Sequence, residues 1–262
     1  MSAIIIRDRI AHYEVLGRGR PVLFLHGWIG SWRYWVPAMQ SASQRYRAYA
    51  LDLWGFGDSD KHSENYALEA QTHLLAAFLD EMGITRVALI GHGLGAVVSL
   101  LFSLRYPLAV DRMALVGLPL EAGALHHRLR TDSPEKLADW LLKPTISTEA
   151  ARHEAPKADP EALRSSLAEI EGLDLLAELQ KVEAPTLLVY GRNDALVRLP
   201  SGDAVARLPE STHQIVFEQS GHFPMLDEQS KFNRLMSDFL LLESGVSPRQ
   251  LQLKEEWKRR VR

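Results

Sequence analysis

Short apolar runs alternate with segments of helical period along the first half of the chain. The runs at residues 21–25, 46–51 and 87–90 have the length of buried β-strands and are followed by turn-forming residues. Segments 32–43 and 67–82, which lie between them, carry apolar residues at the spacing of helices with one buried face. The alternation predicts a parallel sheet covered by helices on both faces.

The pattern changes after another apolar run at residues 113–116. From 118 to 185 only helical signals occur, which predicts an inserted helical cap. Ser133 and Asp159 each precede a proline, so each is expected to cap the start of one cap helix.

Strand signals return at residues 186–190 and 213–217, and segment 224–242 has the pattern of a closing helix. We therefore expect one α/β domain over residues 1–262. Its sheet should be mostly parallel with roughly eight strands, helices on both faces and a small helical cap.

Composition and charge exclude several classes of function. The 262 residues include 30 basic and 33 acidic side chains, a net charge of -3 that offers no bulk attraction to nucleic acid. The absence of cysteine excludes disulfides, thiolate nucleophiles and thiolate metal sites. The apolar run at residues 4–6 is too short for a signal peptide, and no run approaches a membrane span. We expect a cytoplasmic protein without a membrane span.

The tail at residues 245–262 is basic and amphipathic. Leu253, Trp257 and Val261 follow one another at the i, i+4 spacing of a helix face. A helix that docks on its own domain is favoured over a surface for anionic lipid or a partner, because the apolar stripe is narrow.

A glycine-rich turn follows the predicted strand at residues 87–90 and precedes a helix predicted to end before Pro107. Its sequence is Gly91-His92-Gly93-Leu94-Gly95, in the strand, turn and helix context of a nucleophile elbow, G-x-S-x-G. The outer glycines are present because the tight turn leaves no room for a Cβ. The serine is replaced by Gly93.

Four further motifs occur in a fixed order after predicted strands. They are His26-Gly27-Trp28, the run from Asp52 to Ser59 (D-L-W-G-F-G-D-S), Gly191-Arg192-Asn193-Asp194 and Gly221-His222-Phe223-Pro224. Together with the elbow, they make nearly the whole chain resemble the α/β-hydrolase superfamily.

The resemblance implies roles for particular residues. Asp194 would orient His222, and the backbone N–H groups of Trp28 and Leu94 would face an oxyanion. The covalent step does not carry over, because Gly93 has no side chain that can attack a carbonyl.

Other residues that could carry chemistry are interpreted as structural. Ser99 and Ser103 lie too far along the elbow helix to replace the nucleophile, and Ser31 and Ser59 are interpreted as turn and capping residues. His26 and His92 are expected to be structural, and the pair His126-His127 lacks the nearby carboxylates of a metal site. We expect no metal, no cofactor, and a small molecule as ligand or substrate.

Three hypotheses of function follow. In the first, His222, oriented by Asp194, acts as a general base without a covalent intermediate, as in cofactor-free oxygenases of the superfamily. In the second, the chain is a non-catalytic ligand binder or sensor, like plant hormone receptors of this fold. In the third, it is an esterase disabled by a serine-to-glycine change at residue 93. The presence of both His222 and Asp194 favours the first, because a binder has no chemical need for an oriented base.

Overall fold

One eight-stranded sheet forms the centre of the molecule. The computed structural model describes residues 2–253, and the strands lie in the order β1-β2-β4-β3-β5-β6-β7-β8. Strand β2 runs antiparallel to β1 and β4, and the remaining neighbours are parallel. The strands are β1 (Ser2–Ile6), β2 (Arg9–Gly17), β3 (Arg20–Leu25), β4 (Tyr46–Leu51), β5 (Val87–His92), β6 (Val110–Val116), β7 (Thr186–Gly191) and β8 (Thr212–Phe217).

Helices cover both faces of this sheet, so the predicted α/β architecture is confirmed. Helix α1 packs with α11, while α2 and α8 pack with α3. The helices are α1 (Val36–Ala42), α2 (Leu68–Glu81), α3 (Leu94–Arg105), α4 (Arg128–Thr131), α5 (Pro134–Leu141), α6 (Ile146–Glu154), α7 (Pro160–Ile170), α8 (Leu175–Leu179), α9 (Gly202–Ala206), α10 (Pro224–Asp227) and α11 (Gln229–Leu241). Within residues 2–253, no helix combines the length and the apolar character needed to cross a membrane.

Three regions differ from the predicted pattern, one of which is the closing helix predicted at 224–242: it is divided into α10 and α11, with Glu228 between them. The N-terminal hairpin of β1 and β2 was not predicted, since the side chains of β1 alternate between partly and fully exposed positions and its turn lacks glycine. Arg7 and Asp8 form that two-residue turn with positive φ angles of 51° and 63°. The helix predicted at 32–43 is divided into a 3₁₀ turn, Trp32–Trp35, and α1, whose first turn contains a proline.

The segment between β6 and β7 contains helices α4 to α8, and we name residues 118–185 the helical insertion. Ser133 caps α5 and Asp159 caps α7, each by accepting a backbone N–H in the first turn. The insertion is held to the sheet loops by Glu154, which is 1% exposed. Its carboxylate accepts from the Ser31 hydroxyl at 3.0 Å and pairs with the Arg33 guanidinium, also at 3.0 Å.

The tail is only partly within the described residues. Leu251 and Leu253 pack against the core, and the His213 ring donates to the Leu251 carbonyl at 3.1 Å. Trp257 and Val261, on which the predicted tail helix depends, lie outside the described residues.

The loops that carry the candidate motifs meet at one edge of the sheet. Strands β3, β5, β7 and β8 are parallel, and each motif follows the carboxyl end of its strand. Parallel strands end at the same edge, so residues far apart in the chain come together there.

Helix α3 approaches β5 and the end of β3 closely because a glycine lies at each of the two contacts. A Cβ added at Gly91 would collide with the backbone of Gly95. A Cβ at Gly95 would lie 2.5 Å from the Leu25 carbonyl oxygen. Backbone atoms cannot move out of the way as a flexible side chain can, so both positions require glycine.

We predict that Gly95→Ala lowers the free energy of unfolding by about 3 kcal/mol, because the new methyl group must push β3 and α3 apart. Urea unfolding measures the change. Gly202→Ala is the matched control, because nothing beyond its chain neighbours and its own helix backbone lies within 4 Å of the added Cβ, and it should change stability by less than about 1 kcal/mol. Equal stability of the two variants would contradict the packing argument.

Candidate functional site

His222 and Asp194 form a buried hydrogen-bonded pair at the carboxyl edge of the sheet. The His222 Nδ1 donates to the Asp194 Oδ2 at 2.8 Å, and each side chain is 2% exposed. The other carboxylate oxygen of Asp194 accepts from the amides of Leu196 and Val197 at 2.8 and 3.0 Å. Because three donors hold the carboxylate, it can fix both the orientation and the tautomer of the ring.

This tautomer leaves the second ring nitrogen of His222 as a base. Among residues 2–253, Nε2 of His222 has no hydrogen-bond partner. With the proton on Nδ1, the Nε2 atom carries a lone pair that can accept a proton.

The turn between β5 and α3 has the backbone geometry of a strained elbow. Gly93 has φ +50° and ψ -110°, and its N–H donates to the Val116 carbonyl at 2.8 Å. Side chains rarely adopt this positive φ, so the turn favours glycine.

The indole of Trp28 lies directly over Gly93. A Cβ at residue 93 would be 3.0 Å from both Cε3 and Cζ3 of the Trp28 ring. The Trp28 Nε1 donates to the Ser166 hydroxyl on α7 at 3.1 Å, and both side chains are fully buried. The ring therefore fills the space beside Gly93 and connects it to the helical insertion.

Two backbone amides at this edge have no acceptor among the described residues. Within the described part of the chain, the N–H groups of Trp28 and Leu94 donate no hydrogen bond. Leu94 is the first residue of α3, where the helix presents unpaired amides and the positive end of its dipole. His26 supports this loop, since its Nδ1 donates to the Gly27 carbonyl at 2.8 Å and its Nε2 accepts from the Leu53 amide at 3.0 Å.

His92 connects the three loops of the site, a role that the sequence did not reveal. Its Nδ1 accepts from the Tyr34 hydroxyl at 2.9 Å, and its Nε2 donates to the His222 carbonyl at 2.9 Å. The Tyr34 hydroxyl in turn accepts from the Gly27 amide at 2.7 Å. Burial, and next the neighbouring charge of His222, hold the pKa of His92 well below its usual range. The neutral His92 ring therefore accepts one hydrogen bond and donates another, and these bonds hold the loops of residues 27 and 222 in place.

The serines set aside as nucleophiles have structural partners. The Ser99 hydroxyl donates to the Gly95 carbonyl, and the Ser103 hydroxyl donates to the Leu100 carbonyl, both at 2.7 Å. The Ser59 hydroxyl donates to the Asp52 carbonyl at 2.8 Å.

One cluster of possible metal ligands occurs among residues 2–253. Ligand atoms of His12, Asp52 and Asp58 lie within 4.8 Å of one another. The Lys157 ammonium already binds the Asp58 carboxylate at 2.8 Å, which supplies the positive charge that a cation would bring. The His126 and His127 rings stack on each other with their centroids 4.3 Å apart.

The chain belongs to the alpha/beta hydrolase family, whose model matches residues 22–235. It is 27% identical to a 2-hydroxy-6-oxo-2,4-heptadienoate hydrolase of Pseudomonas putida, over 87% of this chain and 91% of the relative. It is 29% identical to a 2-hydroxy-6-oxo-6-phenylhexa-2,4-dienoate hydrolase of Comamonas testosteroni, over 90% of this chain and 92% of the relative.

Solved structures show the same fold at lower identity. A hydrolase of Pseudomonas aeruginosa superposes with a TM-score of 0.81 at 19% identity, covering 92% of this chain and 98% of that one. An esterase of Exiguobacterium antarcticum gives a TM-score of 0.80 at 20% identity, covering 91% and 98%.

We predict that acid destabilises the fold through His92 and His26, because burial lowers the pKa of both rings in the folded state. Unfolded histidines bind protons below about pH 6.5, whereas these two stay neutral when folded. The free energy of unfolding is therefore highest above that pH. As the pH falls, each ring lowers it by about 1.4 kcal/mol per pH unit until its own folded pKa is reached.

Urea unfolding between about pH 7.5 and pH 5 measures this slope. In His92→Asn the slope should be shallower by up to about 1.4 kcal/mol per pH unit, whatever the absolute stability of the variant. A slope unchanged from that of the original chain would contradict the role given to His92.

Proposed function

We propose that this protein is a hydrolase of small molecules in which His222 acts as a general base on water. The observation that carries the proposal is the 2.8 Å hydrogen bond from His222 Nδ1 to Asp194, which leaves Nε2 as a lone-pair base. Gly93 supplies no nucleophile, so the attacking oxygen has to come from water rather than from the chain.

The proposed reaction starts when a carbonyl compound lies beside the elbow. His222 Nε2 takes a proton from water while the water oxygen adds to the carbonyl carbon. The oxygen that becomes negative accepts hydrogen bonds from the amides of Trp28 and Leu94, which have no acceptor among the described residues. When the tetrahedral intermediate collapses, the bond to the leaving group breaks and the leaving group takes the proton back from His222. Asp194 stabilises the imidazolium that exists between the two transfers.

The substrate class follows from this chemistry. Water addition requires an electrophilic carbonyl, which an ester or a ketone with a stabilised leaving group provides. The relatives from Pseudomonas putida and Comamonas testosteroni are named for hydrolysis of 2-hydroxy-6-oxodienoates, whose 6-oxo group is such a carbonyl. We propose short esters and 2-hydroxy-6-oxodienoates as the first compounds to test.

A non-catalytic ligand binder is the second candidate, and the position of Trp28 favours it. The indole is fully buried over Gly93, and the His222 side chain is only 2% exposed. A ligand that occupies the space of a residue-93 side chain has to displace the ring, which lies 3.0 Å from that position. If a ligand bound in this way does not bring a carbonyl to Nε2, the chain binds it without turnover.

We predict that any hydrolytic activity depends on His222 and Asp194 and on no serine. His222→Ala should lower kcat by at least 100-fold, because general-base catalysis contributes on the order of 100-fold to 10,000-fold. Asp194→Asn should lower kcat with little change in KM, since it disturbs the ring and not the substrate. Steady-state assays on the two substrate classes measure both.

His73→Ala is the matched control, because His73 lies on α2, away from the loops of the site, and should keep full activity. A fluorophosphonate probe should leave the original chain unlabelled. Stoichiometric labelling would reveal a serine nucleophile and overturn the proposal.

We predict that Gly93→Ser introduces esterase activity, whereas Gly93→Ala does not. The new hydroxyl would lie beside His222 and complete a nucleophile, base and acid triad. The added Cβ is 3.0 Å from the Trp28 ring, so the ring has to shift by a few tenths of an ångström.

Both variants should lose about 1 to 3 kcal/mol of stability, because a side chain is strained at this positive φ. Assays with an activated ester should give Gly93→Ser at least tenfold higher kcat than Gly93→Ala, and only the serine variant should react with a fluorophosphonate. Equal rates in two folded variants would contradict the triad geometry and favour the ligand binder.

A further inference from the structure

A cavity of about 290 Å³ lies at the opposite end of the sheet from His222. The starts of β3, β4, β5 and β6 surround it, together with the end of α11. Six residues of β5 separate this edge from the carboxyl edge, a span of about 20 Å. The cavity wall includes three arginines, one acid, one tyrosine and an apolar patch: Arg20, Arg86, Arg112, Asp111, Tyr46 and Leu240.

Arg112 is the most deeply buried of these charges. Its side chain is 1% exposed, its Nε donates to Asp111 at 2.7 Å, and its Nη1 donates to the Phe239 carbonyl at 2.7 Å. The third nitrogen, Nη2, has no hydrogen-bond partner within the described residues. A buried guanidinium nitrogen without an acceptor is costly, so an acceptor that binds here gains a favourable contact.

The remaining charges leave the cavity positive. Arg86 pairs with Asp111 at 3.1 Å and also donates to the Ser244 hydroxyl at 2.9 Å. Burial alone would raise the pKa of Asp111, but hydrogen bonds from Arg112 and Ser244 and the charges of the two arginines lower it, so this carboxylate is ionised at neutral pH. Arg20 is exposed and forms no ion pair with a residue in the range 2–253. Three guanidinium groups therefore face one carboxylate.

We propose that this cavity binds the phosphate group of a small phosphate monoester. A phosphate monoester carries nearly two negative charges at neutral pH, which matches the excess of two guanidinium groups over the carboxylate. A planar guanidinium group can donate two parallel hydrogen bonds to the phosphate oxygens, which a lysine ammonium cannot do. The apolar wall, formed by Pro21, Val22, Ala88 and Leu240, fits a short apolar body attached to the phosphate. The site is separate from the His222 edge and needs no catalytic step.

Calorimetric titration of the full chain with inorganic phosphate and with phenyl phosphate tests the proposal. At low salt, where charge interactions are least screened, both probes should bind at one saturable site. Phenyl phosphate should bind severalfold more tightly, because its ring is buried against the apolar wall. Benzoate carries one charge and should bind at least tenfold more weakly than phenyl phosphate.

Variants distinguish this cavity from other anion sites. Arg112 is buried in a hydrogen-bonded network and its replacement could prevent folding, so the test uses the double variant Arg20→Gln/Arg86→Gln, whose circular dichroism and Tm are checked first. This variant should bind phenyl phosphate at least tenfold more weakly. Arg164→Gln, an exposed arginine on α7, is the matched control and should change the Kd less than twofold.

Three results would overturn the proposal. The first is the absence of saturable binding of both phosphate probes. The second is an equal change of the Kd for phenyl phosphate in the double variant and in Arg164→Gln. The third is loss of binding in His222→Ala, which would place the anion at the other edge of the sheet. Benzoate binding as tight as that of phenyl phosphate would overturn the assignment to a doubly charged ligand.

Discussion

The close approach of β5 to α3 is the constraint on which the site depends. Gly91 allows β5 to touch the start of α3, and Gly95 allows α3 to touch the end of β3, where the Gly95 amide donates to the His26 carbonyl at 3.0 Å. With both elements held so close, the residue between them has little choice of backbone conformation, and Gly93 takes a positive φ. The same geometry leaves the Leu94 amide unpaired at the start of the helix. Removal of either glycine would therefore disturb the elbow, the amides and the neighbouring loop together.

Much of the fold could be predicted because its inner strands are buried on both faces. Strands such as β5 and β7 appear as continuous apolar runs, and their ends carry short motifs of glycine, histidine and aspartate. The first two strands could not be found in this way, since one side of the hairpin faces solvent and its turn uses Arg7 and Asp8 in a conformation that usually favours glycine or asparagine.

The candidate site could be predicted only in part. The motifs brought His222 and Asp194 into one hypothesis through the resemblance to the α/β-hydrolase superfamily, and their side chains lie 2.8 Å apart in the structure. The bridging role of His92 was not predictable, because it depends on Tyr34 and on the carbonyl of residue 222, which are far away in the sequence. The position of the Trp28 ring depends on a rotamer and on Ser166 in the insertion, and neither follows from a local pattern.

The indole of Trp28 also determines how a ligand can reach the space over Gly93. The ring is buried, bonded to Ser166 and packed over Gly93, while Glu154 holds the same insertion to the loops of Ser31 and Arg33. A ligand that enters the space over Gly93 therefore requires the Trp28 ring to move first. If this movement is slow, the observed association rate stops rising at high ligand concentration and equals the rate at which the ring moves. The apparent affinity for such a ligand is reduced in proportion to the fraction of molecules in which the ring has moved, so the packing of Trp28 affects both the rate and the strength of binding.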